Sequence, residues 1–207
     1  MNAPAAISFD PDAHAYTVAG RAVVNVTRIL EYFDLAMQEA RRRQPEAFEF
    51  AQRLGKAVHE ACALDDLGLL DEKSIAPIVR PRLDAWRSFR AKNGFVPELT
   101  EHRVYSRSYD FAGTLDSVGK MRGVRWLVDR KSGIVSRFAT LQTAAYALAY
   151  NETQHPTAFA PPPIERRGAV YLHADGTYKL ETHANQADRT HFVYMLATHR
   201  WLNQKVS

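Results

Sequence analysis

The sequence predicts an α/β fold in which a central mixed β-sheet is flanked by α-helices. Three consecutive β-type runs at 97–106, 111–119 and 124–131 occupy the middle of the chain, and segments with helical periodicity precede and follow them. A further observation sets the scale. With 207 residues, 46% of them hydrophobic, the chain can bury one sizeable core and is too short for two comfortable ones, so a single domain over 1–207 is expected.

Taken in order, residues 7–24 read as a small β-hairpin and 27–33 as a short helix, together an N-terminal extension of about 1–36. The run 45–67 carries Phe50, Leu54, Val58, Ala61 and Leu64 at the spacing of one helix face. A second helical region spans 74–92, with Pro77 near its start and Pro81 marking where regular helix begins. The three strands follow, bounded by Gly113, Gly119, Gly123 and Gly133. Residues 138–150 are helical by period, and 151–163, with Pro161, Pro162 and Pro163, form a loop. Segments 164–173 and 178–182 make a hairpin around Asp175-Gly176, a strong turn signal. The last helix, 186–202, is capped by Asn185 and packs Phe192, Val193, Leu196 and Ala197. There is no internal repeat or long low-complexity tract.

Chemistry concentrates on the two runs around 111–131. Asp116 falls mid-strand, where charge is depleted. Strand side chains alternate, so Asp129 and Lys131 share one face of the sheet while the Arg130 side chain points away. Two carboxylates converging with an amine suit metal-dependent cleavage of a phosphodiester. Alone, the D-x-K triplet reads as a plain salt bridge. His59 flanks the apolar stripe of the first long helix and alone reads as a packing residue. Gln142 and Tyr146, four apart, alone make an ordinary helix-face pair.

Taken together these elements have an order. Gly55-x-x-x-His59 on a helix, then Gly113-Thr114-Leu115-Asp116, then Asp129-Arg130-Lys131-Ser132-Gly133, then Gln142-x-x-x-Tyr146 on a helix resemble the PD-(D/E)xK nuclease superfamily, and most closely its RecB-like exonuclease branch. The opening, Ile7-Ser8-Phe9-Asp10 with Gly20 and Val26-Thr27-Arg28-Ile29-Leu30, resembles the N-terminal hairpin and helix of phage-encoded members. The resemblance implies a restriction-endonuclease-like core, with His59, Asp116 and Asp129 binding metal, Lys131 as the catalytic lysine, and Gln142 and Tyr146 on a DNA-facing helix. It implies a deoxyribonuclease, an exonuclease in preference, that acts in phage-type DNA recombination or processing and leaves 5′-phosphate ends. DNA is then the partner, alongside a single-strand annealing or other recombination protein, and a homo-oligomer is compatible. Three alternatives stay open: a structure-specific or single-strand endonuclease, a non-catalytic nuclease-fold module that binds DNA or protein, and an accidental likeness in which the charges form a structural network.

The chemistry asks for the same residue types. Mg²⁺ held by Asp116 and Asp129, with the backbone carbonyl of Arg130 as a further oxygen ligand, keeps positions open for substrate oxygens and water. Histidine is a softer ligand, which suits Mn²⁺. Lys131 would orient or deprotonate the attacking water or neutralise the phosphate, with a pKa lowered by two nearby positive centres. Ser132 ends its strand or hydrogen-bonds a phosphate. Arg41-Arg42-Arg43, Arg103 with Arg107, Arg130 with Lys131 and Arg137, and Arg166-Arg167 read as a phosphate-tracking groove or as solvated basic faces. The DNA-contacting set is therefore Gln142, Tyr146, Ser132, Arg137 and Arg107. Glu60 lies about 100° around the helix from His59 and is expected to be solvated.

Composition narrows the classes. The balance of 27 basic against 23 acidic residues permits nucleic acid without demanding it. The single cysteine, Cys62, reads as a core thiol and excludes both an intramolecular disulfide and a four-cysteine iron–sulfur cluster within the chain. The other histidines show no zinc spacing. No apolar run approaches the ~20 residues of a membrane span and no signal-type core opens the chain, so a cytoplasmic location is expected.

Overall fold

Runs rich in Val, Tyr, Phe and Thr hydrogen-bond into one eight-stranded mixed sheet with helices packed on both of its faces. The computed structural model describes residues 6–11, 13–133, 136–153 and 162–204. The strands are β1 (Ile7–Asp10), β2 (Ala15–Val18), β3 (Arg21–Asn25), β4 (Phe95–Ser106), β5 (Phe111–Met121), β6 (Val124–Lys131), β7 (Arg166–Leu172) and β8 (Tyr178–Thr182). The helices are α1 (Val26–Phe33), α2 (Leu35–Arg43), α3 (Pro45–Asp66), α4 (Arg80–Asn93), α5 (Ala139–Thr153) and α6 (Ala187–Leu202), with a 3₁₀ turn at Glu72–Ser74. The sheet runs β1-β2-β3-β5-β6-β7-β8, with β4 on the other edge of β5. β3 pairs parallel with β5, β6 pairs parallel with β7, and the remaining pairs are antiparallel.

Among the described residues two large cores follow from the alternation of side chains across the sheet, and a smaller one, Tyr16, Val18, Val23 and Ala112, lies under the N-terminal strands. On one face α1, α5 and α6 bury Ile29, Ala145, Tyr150, Phe192 and Leu196 against Phe111, Leu115 and Leu127. On the other, α3 and α4 bury Val58, Cys62, Leu83, Trp86 and Phe89 against Trp126, Val128, Val170 and Leu172. Cys62 is a buried thiol pushed up to about 12 by its removal from water. Among the described residues no helix is long and apolar enough to cross a membrane.

Several expectations are corrected. Residues 7–24 form three strands, because Ala19 and Gly20 both take left-handed φ (49° and 77°) and make a two-residue hairpin turn. β3 then joins this meander to the main sheet through Val24 and Asn25, opposite Phe111 and Ala112. Helix α2 was not anticipated: it buries no residue, so it carries no apolar stripe, and it is started by Asp34, which accepts from the Met37 N–H at 3.0 Å. The region 74–92 becomes helical only from Arg80, with Pro81 in the first turn, where its missing N–H costs nothing. In α6 the buried face is Phe192, Leu196 and His199, while Ala197 is exposed. The Asn185 side chain accepts from the Ala187 N–H at 3.0 Å, at the start of that helix. Most of the expected proline-rich loop, 154–161, lies outside the described residues.

Candidate metal centre

The site lies where the sheet forks. One edge of β5 pairs with β3 at Phe111 and Ala112 and with β6 from Ser117 onward, so among the described residues Gly113 to Asp116 has no strand partner on that edge. The buried N–H of Arg130 at the end of β6 therefore needs another acceptor, and it donates to Asp116 Oδ2 at 2.6 Å. In an extended strand the Arg130 carbonyl faces the same edge as its N–H, toward Asp116. On the opposite edge of β5, β4 pairs Thr100 with Ser117 and His102 with Leu115. Glu101, between them, takes φ 49°, a costly value for a residue with a Cβ, and this turns its carboxylate toward Asp116.

α3 completes the group with His59, whose Nδ1 lies 3.4 Å from Asp116 Oδ1. One ligating atom each from His59, Glu101 and Asp116 all lie within 4.8 Å of one another. Asp116 is 7% exposed. Burial would raise its pKa, but the His59 and Arg130 charges outweigh that and hold it well below the usual carboxylate range. His59 moves the other way. Burial would lower its pKa, and the Asp116 carboxylate more than compensates, so it stays a readier proton acceptor than a free imidazole. Desolvation and the neighbouring Asp116 push Glu101 up to about 7, against the pull of Arg130.

Asp129 and Lys131 sit on the α5 face of β6. Lys131 Nζ is 2.8 Å from Asp129 Oδ2 and donates to Gln142 Oε1 at 2.8 Å, and Gln142 Nε2 donates to the Tyr146 hydroxyl at 3.1 Å. Asp129 is 1% exposed, and neither carboxylate oxygen makes a hydrogen bond of good geometry. Burial raises its pKa, Lys131 opposes this, and Asp116 adds to it. Burial would lower the Lys131 pKa, but Asp129 and Asp116 hold it above its ordinary value, so the lowered pKa expected beside two positive centres is not a property of these side chains alone. Tyr146 packs over Gly113, where an added Cβ would come within 2.5 Å of the ring. Gly55 of α3 faces Ser132 at 3.6 Å by the same measure.

The Arg130 side chain is fully buried. Its guanidinium bonds Asp66 at 3.0 Å, Glu101 at 2.8 Å and the Asp116 carbonyl at 3.2 Å, and lies over the Trp86 ring. It braces the site from below and does not line a groove. Arg107 is also displaced from the expected cluster: it occupies the β4–β5 turn, and from Phe111 at the end of that turn β5 runs five residues, roughly 17 Å of strand, to Asp116. Arg167 is held internally by Asp188 at 2.7 Å and by the Asn185 and Thr140 carbonyls. Arg137 is exposed just before α5, and Glu60 is exposed on α3. A cleft of about 510 Å³ gathers His59, Glu101, Asp116, Gln142 and Tyr146 with Lys56 and Gln52 of α3 and Phe9, His14 and Tyr16 of the meander.

Sequence reasoning missed Glu101. The strand around it also carries Glu98 and Arg103, so one more charge gave no signal, and the backbone turn that aims it is visible only in three dimensions.

The fold and site define an α/β protein with a mixed sheet, helices on both faces and a side-chain group able to hold a metal ion. No family model and no curated protein matches the chain. Among solved structures it is similar to one described as the crystal structure of SSO0001, at 14% identity and a TM-score of 0.36, over 60% of this chain and 58% of that one. The chain thus spans less than two thirds of that protein's length, and a likeness of this degree carries no argument about function.

Proposed function

We propose that this protein is a metal-dependent deoxyribonuclease with a restriction-endonuclease-like core, belonging to the RecB-like branch of the PD-(D/E)xK superfamily that its motifs resemble. One juxtaposition carries the reading: the donor group His59, Glu101 and Asp116 opens on the same cleft as Gln142 and Tyr146, and Gln142 is hydrogen-bonded to Lys131. The donors are two hard carboxylates and one imidazole, which fits Mg²⁺ and fits Mn²⁺ at least as well. Asp129 is not part of that group, but its buried carboxylate, with Oδ2 against Lys131 and Oδ1 unpartnered among the described residues, would be a further oxygen donor.

When bound, the cation supplies charge neutralisation at the phosphoryl oxygens and a water of lowered pKa. Asp116, held ionised, needs no deprotonation to act as a ligand. Lys131, kept cationic by Asp129 and Asp116, would hydrogen-bond a phosphate oxygen or the attacking water. Gln142 fixes the Lys131 ammonium from α5, and Tyr146 fixes Gln142. Arg130 positions Glu101 and Asp116 and touches no substrate.

The test is a Mg²⁺ and Mn²⁺ titration of cleavage on end-labelled linear and covalently closed circular DNA, with Lys131→Ala as control. Metal-dependent loss of linear DNA alone, absent in the variant, supports the exonuclease. Cutting of circles moves the reading to an endonuclease, and binding without cleavage moves it to a non-catalytic module.

A further inference from the structure

One wall of the cleft has no part in this chemistry. β1 and the β1–β2 turn place Phe9, Pro11 and His14 along it, above Tyr16 of β2. The Phe9 and Tyr16 ring centroids lie 4.6 Å apart, and His14 stands edge-on to Phe9 at 5.3 Å. Tyr16 is buried, and its hydroxyl bonds Thr114 Oγ1 at 2.8 Å, two residues before Asp116. The aromatic group is thereby tied to the strand that carries the candidate metal ligand.

Phe9 is only partly buried and His14 is exposed, both along the cleft. His14 takes φ 47°, and the Asn25 amide donates to its carbonyl at 3.1 Å, which fixes its backbone at the edge of the cleft. The Arg103 guanidinium lies 5.8 Å over the Phe9 ring, and Lys56 faces the group across the cleft. Aromatic faces interleaved with cations are the chemistry of a surface that stacks bases and neutralises phosphates.

We propose that Phe9 and His14 form a nucleobase-stacking subsite that admits a single-stranded DNA end beside the scissile phosphate; this deepens the nuclease reading and rests on it. Inside a duplex each base face is covered by its neighbours and only the outer face of the terminal pair is free, so rings walled into a cleft stack best on an unpaired base. A cleft of about 510 Å³ is also of the size that encloses a small ligand, such as one or two splayed nucleotides, and not a double helix. The enzyme therefore engages single strands, or ends that have frayed, in preference to closed duplex.

The test uses single-stranded oligonucleotides with 2-aminopurine at successive positions from each end, titrated with the wild-type protein in Ca²⁺ and compared with a blunt duplex. Phe9→Leu keeps an apolar side chain, and His14→Asn uses a residue that tolerates left-handed φ. The expected result is quenching at one defined position and tighter binding of the single strand, weakened roughly five- to 150-fold in Phe9→Leu. A thermal melt of each variant separates lost stacking from lost folding, and His14→Asn alone decides if Phe9→Leu does not fold. Equal affinity for duplex and single strand, no quenched position, or folded variants that bind like wild type overturn the subsite. If metal-dependent cleavage persists in that case, the nuclease reading stands without it. Quenching without cleavage keeps the subsite and removes the nuclease. Absence of both removes both.

Discussion

Asp129→Asn separates a functional site from a structural ion network, because the two make opposite demands on stability. Asp129 is 1% exposed, its Oδ1 has no partner among the described residues, Oδ2 meets Lys131 Nζ at 2.8 Å, and burial and Asp116 both oppose its charge. A buried polar group left unsatisfied costs ~1–3 kcal/mol. The asparagine isostere removes the charge at constant shape and leaves Lys131 its bond to Gln142, so the lost attraction to a partly exposed lysine is ~1 kcal/mol. In EDTA at neutral pH, Asp129→Asn is therefore expected to equal or exceed wild type by ~1 kcal/mol, a rise in Tm of about 2–4 °C for a chain of this size. With Mn²⁺ at ~100 times its Kd, wild type gains ~2.7 kcal/mol and the variant gains little, so the order of the two melts reverses. The assay is thermal unfolding followed by circular dichroism with and without metal. A loss of ~3–5 kcal/mol in EDTA, the penalty for breaking a buried ion pair, would refute the reasoning and make Asp129 and Lys131 structural.

Other perturbations test neighbouring parts of the account. Arg130→Met takes the guanidinium from Glu101, from the Asp116 carbonyl and from the buried Asp66, which keeps Trp86 Nε1 at 2.8 Å and Arg90 at 3.0 Å, and is expected to cost ~1–3 kcal/mol, read as a lower urea midpoint at unchanged m. Gly113→Ala drives a Cβ into the Tyr146 ring and is expected to lose ~1–3 kcal/mol together with cleavage rate; Tyr146→Ala in the same chain should relieve the stability loss, so additive losses would contradict the contact. His183 is buried, its Nδ1 bonded to Thr143 Oγ1 at 2.8 Å, and desolvation helped by Arg167 lowers its pKa from 6.5 to about 4. Between those values the unfolded chain takes up a proton that the folded chain refuses. Stability is thus lost as pH falls through that window, by up to ~3 kcal/mol, and this part of the loss should be missing from the pH series of His183→Gln.

What could be read from the sequence and what could not divide along physical lines. The face shared by Asp129 and Lys131 follows from the two-residue period of a strand, and the approach of Gln142 to Tyr146 from the four-residue neighbourhood of a helix, both local rules. Long-range assembly was hidden. Nothing in the residues around Glu101 announces a left-handed turn that aims it at Asp116, fifteen positions downstream. Arg130 was correctly turned away from Lys131, but counting it toward a basic groove ignored that the opposite face of a central strand is itself core. Helix α2 escaped because periodicity detects burial, and α2 buries nothing. The β2–β3 turn escaped because Ala19 is a poor signal for positive φ.

The most direct test of the central claim is Mn²⁺ binding measured calorimetrically on the wild-type protein, Asp116→Asn and Glu101→Gln. The account predicts saturable binding by wild type, loss of binding in Asp116→Asn, and weakened binding in Glu101→Gln. Wild-type protein that takes up no Mn²⁺, or an Asp116→Asn variant that binds it as tightly as wild type, would contradict the assignment of this cluster as a metal centre.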